Sequence, residues 1–215
     1  MKLTDEVAEY YRSLAPVYHS RSRYPKTFSE ADTGTLEKRI VKLFEGRRVL
    51  EIACGTGYWT SHAARSAKSV LATDLNKEML REAENYCRGS SNVTFRESDA
   101  YTLEGIPEGF TGAFSVLWWC HMPCNMVSVF LKTLHKKLEP GSKVIHACQL
   151  KDMDTAYHLP DGQGNIIAER KLKNRAYRIV KNVPDEERIR EIFLDLKVDY
   201  SVFPVQGMWS VEYTI

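Results

Sequence analysis

Hydrophobic residues recur along this chain with two different periods, and the switches between them predict an alternation of helices and strands. The segment from Thr4 to about Leu14 has helical spacing, with Thr4 as a capping residue and Pro16 as its stop. A second helix is predicted over 28–44, where Leu36, Ile40, Leu43 and Phe44 share a stripe and Gly46 follows as the closing glycine. RRVLEIA (47–53) is short, apolar and partly β-branched, the pattern of a buried strand. The alternation then continues with a helix over 57–67, a strand over 69–74, a helix capped by Asn76 and a strand over 92–98. A strand over 111–119, a helix over 125–138, an EPGS turn and a strand over 143–150 complete it. Strands separated by helices in this order imply parallel pairing with helices on both faces, and right-handed crossovers make that a doubly wound α/β sheet.

The last third changes character. Segments 165–172 and 176–181 alternate across Lys173-Asn174-Arg175, which predicts a hairpin. Pro184 and the acids behind it open a helix to Leu196. Two strands, 197–205 and 207–215 with Gly207 in the turn, are expected as an antiparallel edge on the parallel sheet. No repeat, low-complexity tract or long linker divides the chain, so residues 1–215 are expected to form one domain, with 1–45 helical, 46–150 the α/β core and 151–215 the hairpin, helix and final strands.

Composition narrows the function classes. A chain of 215 residues with 43% hydrophobic and 27% charged residues can bury a sizeable core. A net charge of +2 gives no footprint for nucleic acid or a membrane surface. No apolar run is long enough for a transmembrane helix, and the acidic, tyrosine-rich start does not read as a signal peptide. Five cysteines without a regular framework fit reduced thiols, so a cytoplasmic location is expected.

The chemistry concentrates in LEIACGTGYWT (50–60). Gly55 and Gly57 follow a strand and open a helix, which brings backbone N–H groups to a ligand. A phosphate-binding P-loop would need Lys and Ser/Thr after the last glycine, where this chain has Tyr58 and Trp59. A dinucleotide fingerprint would need a third glycine where Thr60 stands. Asp74 ends the next strand and can accept both hydroxyls of a ribose. Asp99, followed by Ala100, can accept from an adenine amine beside Leu75 and Met79, and Glu51 can reach a cationic amine. The set fits an adenosyl amino acid better than a pyrophosphate.

The stretches VLEIACGTGYWT, VLATDLNKEML, ESDAYTL and HKKLEPGSKVI resemble the class I S-adenosylmethionine-dependent methyltransferases across about residues 45 to 150. In the family's first motif Glu51 is the acid, Ala53 stands where the first glycine is usual, and Gly55 and Gly57 match the other two. The resemblance implies a Rossmann-like seven-stranded sheet with an antiparallel edge, S-adenosylmethionine as cofactor with S-adenosylhomocysteine as product, and N-terminal helices acting as a lid. Tyr11, Trp59 and Trp118 join the cofactor candidates, since aromatic faces attract a sulfonium, and Tyr18, Trp119 and Arg178 are candidates for the substrate side.

His121, in VLWWCHMPC after the fourth strand, is the candidate general base. The Asn/Asp-Pro-Pro-aromatic motif common in amino-group methyltransferases is absent there. Cys120, His121 and Cys124 lack a fourth ligand at suitable spacing, so no metal is expected. The basic run Arg170, Lys171, Lys173, Arg175, Arg178, Lys181 reads either as a flap over an anionic substrate or as a solvated hairpin face protecting an edge. A small molecule is the expected methyl acceptor, through O, N or S. RNA methylation and a non-catalytic cofactor-binding partner protein remain as alternatives.

Overall fold

A computed structural model describes residues 3–18, 30–149, 158–205 and 208–215. Its centre is a seven-stranded sheet in the order β3-β2-β1-β4-β5-β10-β9. The strands are β1 (Arg48–Ile52), β2 (Ser69–Asp74), β3 (Val93–Glu97), β4 (Phe110–Val116), β5 (Leu138–Gln149), β9 (Tyr200–Val205) and β10 (Met208–Thr214). The first five run parallel, and β10 pairs antiparallel with both β5 and β9. The expected architecture and its antiparallel edge are therefore present. The turn glycine Gly207 lies outside the described residues.

Two apolar layers cover the sheet because its central strands alternate between two buried faces. Val49, Val70, Ala72, Phe114 and Ile145 pack with α2 (Glu30–Leu43), α3 (Tyr58–Ala63) and α4 (Lys77–Tyr86) on one side. Leu50, Ile52, Leu71, Ala113 and Val144 pack with α5 (Val127–His135) and α6 (Glu186–Leu196) on the other. Burial on both faces is what makes parallel strands read as continuous apolar runs.

Three departures from the sequence reading matter for the site. β4 stops at Val116 rather than 119, because Leu117 adopts a left-handed φ of 60° and donates its N–H to Ala147 O. A 3-10 turn, Trp119–His121, follows. β5 begins five residues early, at Leu138. A third short strand, β6 (His158–Pro160), pairs with β7 (Ile166–Leu172), which pairs with β8 (Arg175–Val180), so the predicted hairpin is part of a small separate sheet.

Helix α1 (Leu3–Leu14) and the 3-10 turn after it, Ala15–Val17, lie between this small sheet and α4. Leu14, Val7, Tyr10 and Tyr11 pack on Ala168, Leu172, Tyr177 and Ile179. Glu6 accepts the N–H of Arg178 at 2.7 Å and its guanidinium at 3.3 Å, which covers the free edge of β8. Edge protection here comes from a helix carboxylate as well as from the hairpin's basic side chains.

The core also holds a titratable group. His146 on β5 is fully buried, with Nδ1 2.8 Å from Ser115 Oγ and Nε2 3.4 Å from Tyr213 Oη. Burial pushes its pKa down from 6.5 to about 3. A depressed folded value means stability that is present above pH 6.5 and is lost as pH falls toward 3, because only the unfolded chain takes up the proton readily. Wild-type protein is expected to lose about 3 kcal/mol from this group between pH 7 and pH 4. In denaturant titrations at both pH values, His146→Asn should show a correspondingly smaller loss.

Candidate functional site

In an open α/β sheet a ligand binds where the strand order reverses, beyond the carboxyl ends of the strands. Here that point falls between β1 and β4. The glycine loop leaves β1, and the corner bearing His121 leaves β4, so the fold brings the two candidate centres to one crevice.

The loop is left-handed three times over. Ala53, Gly55 and Gly57 have φ of 54°, 56° and 84°. Alanine at the first position carries the steric cost of that region, about 1–2 kcal/mol. A Cβ on Gly55 would meet nothing within 4 Å, which leaves open space on the ligand side of the loop. A Cβ on Gly57 would meet Ala83 Cα and Cβ at 3.0 Å. Gly57 thus lets α3 start against α4 and serves packing as well as the turn. Gly57→Ala combines strain with a backbone clash and is expected to cost about 2–4 kcal/mol, lowering the melting temperature by roughly 5–15 °C in a thermal scan.

Asp74 fixes the loop from the next strand. Its Oδ2 accepts the Gly55 N–H and its Oδ1 the Asn76 N–H, both at 2.9 Å. Burial raises its pKa, and these backbone donors offset part of the rise. Asn76 stands at the predicted N-cap position, but its side chain makes no cap bond; Asp74 holds the Asn76 N–H just ahead of the helix. Asn76 Oδ1 and, beyond β3, Ser98 Oγ are buried without a hydrogen-bond partner among the described residues. Buried polar atoms are seldom left so, and two of them beside Asp74 and Asp99 fit a polar ligand such as a nucleoside. Leu75 is 44% exposed at the same rim, whereas Met79 is buried. Asp99 uses Oδ1 to accept the Tyr101 N–H at 2.8 Å, so its turn role is real; Ala100 follows it, half-buried.

Glu51, at the end of β1, is 2% exposed and accepts from Thr60 Oγ1 at 2.6 Å. Burial pushes its pKa to about 8, against the lowering effect of the Thr60 bond. Near neutral pH the carboxyl is mostly protonated until a cation arrives.

His121 joins three elements. Its Nδ1 lies 2.9 Å from Val180 O, a carbonyl that can only accept, so Nδ1 carries the proton. Nε2 then accepts from Tyr11 Oη at 2.8 Å. Both rings are buried or nearly so, and they meet edge to face. Tyr18 follows the 3-10 turn Ala15–Val17. Burial first and the charge of Asp74 second push its pKa up to about 12. The two tyrosines expected to form a lid thus interact with His121 and with Asp74, respectively.

Several candidates sit elsewhere. Trp59 is 6% exposed and packs in the α2 side of the core. Trp119 is 2% exposed, with Trp209 and His146 edge-on to its ring. Both indoles are packed within the protein core. Trp118 is half-buried, 5.7 Å from Tyr101 and 4.6 Å from Phe130. Arg178 pairs with Glu6 and so ties the lid to the small sheet. Cys120, His121 and Cys124 do not converge: Cys124 Sγ lies 3.3 Å from Gly164 O, and Cys120 faces Lys181.

Lys181 was grouped with the exposed basic hairpin, yet it is 8% exposed with Nζ 3.7 Å from Cys120 Sγ. The signal was present, since alternation along β8 puts residue 181 on the apolar face of Tyr177 and Ile179. Asn182 beside it had no local signal. Its N–H donates to Cys120 O at 2.7 Å and its Nδ2 to Met122 O at 2.8 Å, which fastens the corner to the small sheet.

Among the described residues no helix is long and apolar enough to cross a membrane. The "Methyltransferase domain" family matches residues 49–141. The chain is 24% identical over 144 residues to demethylmenaquinone methyltransferase of Tropheryma whipplei (strain Twist), covering 67% of this chain and 59% of that protein. It is 30% identical over 148 residues to a malonyl-acyl-carrier-protein O-methyltransferase of Halalkalibacterium halodurans, covering 63% of this chain and 52% of that one. The chain thus spans between half and three fifths of these curated relatives. Two solved structures align along nearly all of it: "DhpI-SAH complex structure", with TM-score 0.81, 26% identity and coverage of 98% of this chain and 96% of that one, and "DhpI-SAM-HEP complex", with TM-score 0.81, 27% identity and coverage of 99% and 98%. The strand order, the left-handed loop held by Asp74 and these likenesses agree: the fold is the Rossmann-like methyltransferase fold, and residues 49–141 match a methyltransferase domain, in line with the resemblance to the class I S-adenosylmethionine-dependent methyltransferases.

Proposed function

We propose that this protein transfers a methyl group from S-adenosylmethionine to an O, N or S atom of a small molecule in the cytoplasm. The observation that carries the reading is Asp74, buried at the end of β2 and already holding the glycine loop by the Gly55 N–H. Each of its oxygens accepts one backbone N–H here and retains lone-pair capacity for one ribose hydroxyl. Glu51 is placed for the amino group, Ala53, Gly55 and Gly57 supply the loop backbone, and Leu75, Met79, Asp99 and Ala100 surround the base. Relatives named as acting on quinone precursors and on an acyl-carrier-linked malonyl group support a small acceptor.

S-adenosylmethionine supplies a methyl group already activated by a positive sulfur. The protein's part is to align the acceptor, exclude water and take a proton. Tyr11 and His121 can do the last together. Tyr11 Oη donates to His121 Nε2 and retains lone pairs that can accept a proton. An acceptor hydroxyl or amine that loses a proton to Tyr11 Oη drives the tyrosine's own proton onto Nε2. The imidazolium so formed is held by Val180 O. Lys181, buried at the same corner, favours an acceptor with an anionic or electron-rich group.

The test is incubation with methyl-labelled S-adenosylmethionine and a panel of small hydroxyl, amine, thiol and carboxylate acceptors, with RNA in parallel. Label in a small product supports the reading. Label only in RNA contradicts it, as does cofactor binding with no transfer to any pool drawn from cell extract.

A further inference from the structure

His121 sits in a turn that needs outside support. Within the 3-10 turn Trp119–His121, the His121 N–H donates to Trp118 O and the Met122 N–H to Trp119 O. The carbonyls of Cys120 and Met122 are not used by the turn itself. Both residues are buried, so those oxygens must find partners elsewhere in the chain. One residue supplies both. The Asn182 N–H donates to Cys120 O at 2.7 Å and Asn182 Nδ2 to Met122 O at 2.8 Å. Asn182 therefore grips the chain on either side of His121.

The Asn182 amide is itself held by partners that can act in one sense only. The Ile166 N–H donates to its Oδ1 at 2.8 Å, while Nδ2 faces a backbone carbonyl. The second Nδ2 hydrogen goes to Asn165 Oδ1 at 2.9 Å. Asn165, 3% exposed, is fixed in the same way: its Oδ1 also accepts the Cys124 N–H and its Nδ2 donates to Asp161 Oδ2, both at 2.8 Å. The corner after β4 is thus tied to β7 and to the residues after β8. Two residues before Asn182, Val180 O lies 2.9 Å from His121 Nδ1. On the same small sheet, Tyr177 and Ile179 pack against Tyr10 and Tyr11. Both members of the Tyr11–His121 pair therefore take their places from it.

We propose that Asn182 is a positioning residue for methyl transfer: by gripping Cys120 O and Met122 O it keeps His121 Nδ1–H on Val180 O and Nε2 turned to Tyr11. The inference rests on the reading of His121 as the proton acceptor. Which ring nitrogen of a histidine carries the proton is set by the hydrogen bond the other makes. Asn182 acts through that choice and not on the acceptor itself. Without its side chain, Met122 O loses its donor, the turn shifts, and the proton exchanges between the two nitrogens.

The experiment records imidazole nitrogen NMR spectra and transfer kinetics of the full chain for wild type, Asn182→Ala and Asn182→Asp. The aspartate has the same size and presents an oxygen where Nδ2 stood. His121 signals are identified by their loss in His121→Ala. In wild type they should show a proton on Nδ1 and none on Nε2. In both Asn182 variants they should report exchange between the two tautomers. There kcat should fall by roughly tenfold or more, the scale of a displaced reacting group, while S-adenosylhomocysteine affinity stays within about twofold. Ser142→Ala is the control for general destabilisation, since it removes hydrogen bonds to Phe110 O and Glu139 O toward the start of β5. It should lower the melting temperature and leave the tautomer and kcat as in wild type. A proton on Nε2 in wild type, an unchanged tautomer or kcat in both Asn182 variants, or the same changes in Ser142→Ala would each overturn the proposal. If wild type methylates no acceptor, the methyl-transfer reading fails, and the spectra alone still decide whether Asn182 sets the His121 ring.

Discussion

Replacing His121 with alanine is expected to lower methyl-transfer turnover by about a hundredfold or more, the usual scale for losing a proton acceptor. S-adenosylhomocysteine affinity should change far less, because His121 touches the lid and Val180 rather than the glycine loop. Tyr11→Phe provides the companion measurement. It keeps the ring against His121 and Tyr10 but removes the oxygen that bonds His121 Nε2. Both variants should lower kcat, since neither retains the linked pair. A loss in KM alone, with kcat and its pH profile intact, would mean that His121 only fastens the lid.

The second large effect concerns Asp74. Asp74→Ala removes the proposed acceptor for two ribose hydroxyls, each such hydrogen bond to a charged group being worth about 1.5–3 kcal/mol. S-adenosylhomocysteine affinity is expected to fall by at least about a hundredfold. Because Asp74 also ties Gly55 and Asn76, some loss of thermal stability should accompany it. Asp74→Asn separates the two roles. Its amide keeps one acceptor oxygen and so can retain part of the loop contact, but it cannot serve both hydroxyls. A variant with normal stability and unweakened cofactor affinity would remove Asp74 from the ligand.

How much of this was legible without coordinates follows from what is local. Strand and helix order came from periodicity, because parallel strands buried on both faces are continuous apolar runs and their covering helices are amphipathic. The glycines were legible because left-handed backbone leaves a compositional mark, although Ala53 and Leu117 carry the same conformation with no such mark. Asp74 was legible through its fixed offset from the loop. The contacts of His121 were not: Tyr11 and Val180 are separated from it by 110 and 59 residues, and only the placement of α1 and β8 brings them together. The burial of Trp59 and Trp119 was not legible for a related reason. An aromatic beside a site suits both ligand and core, and the direction of its side chain depends on the turn before it.

Calorimetric titration with S-adenosylhomocysteine at pH 7, repeated in buffers of different ionisation heat, tests the central claim most directly. Glu51 begins mostly protonated, with its pKa at about 8, and a bound ammonium group should drive it to the carboxylate. One ligand per chain is expected, with release of close to one proton that Glu51→Gln abolishes, and with no heat from NADH. Saturable NADH binding, with no binding of S-adenosylhomocysteine at millimolar concentration, would contradict the account.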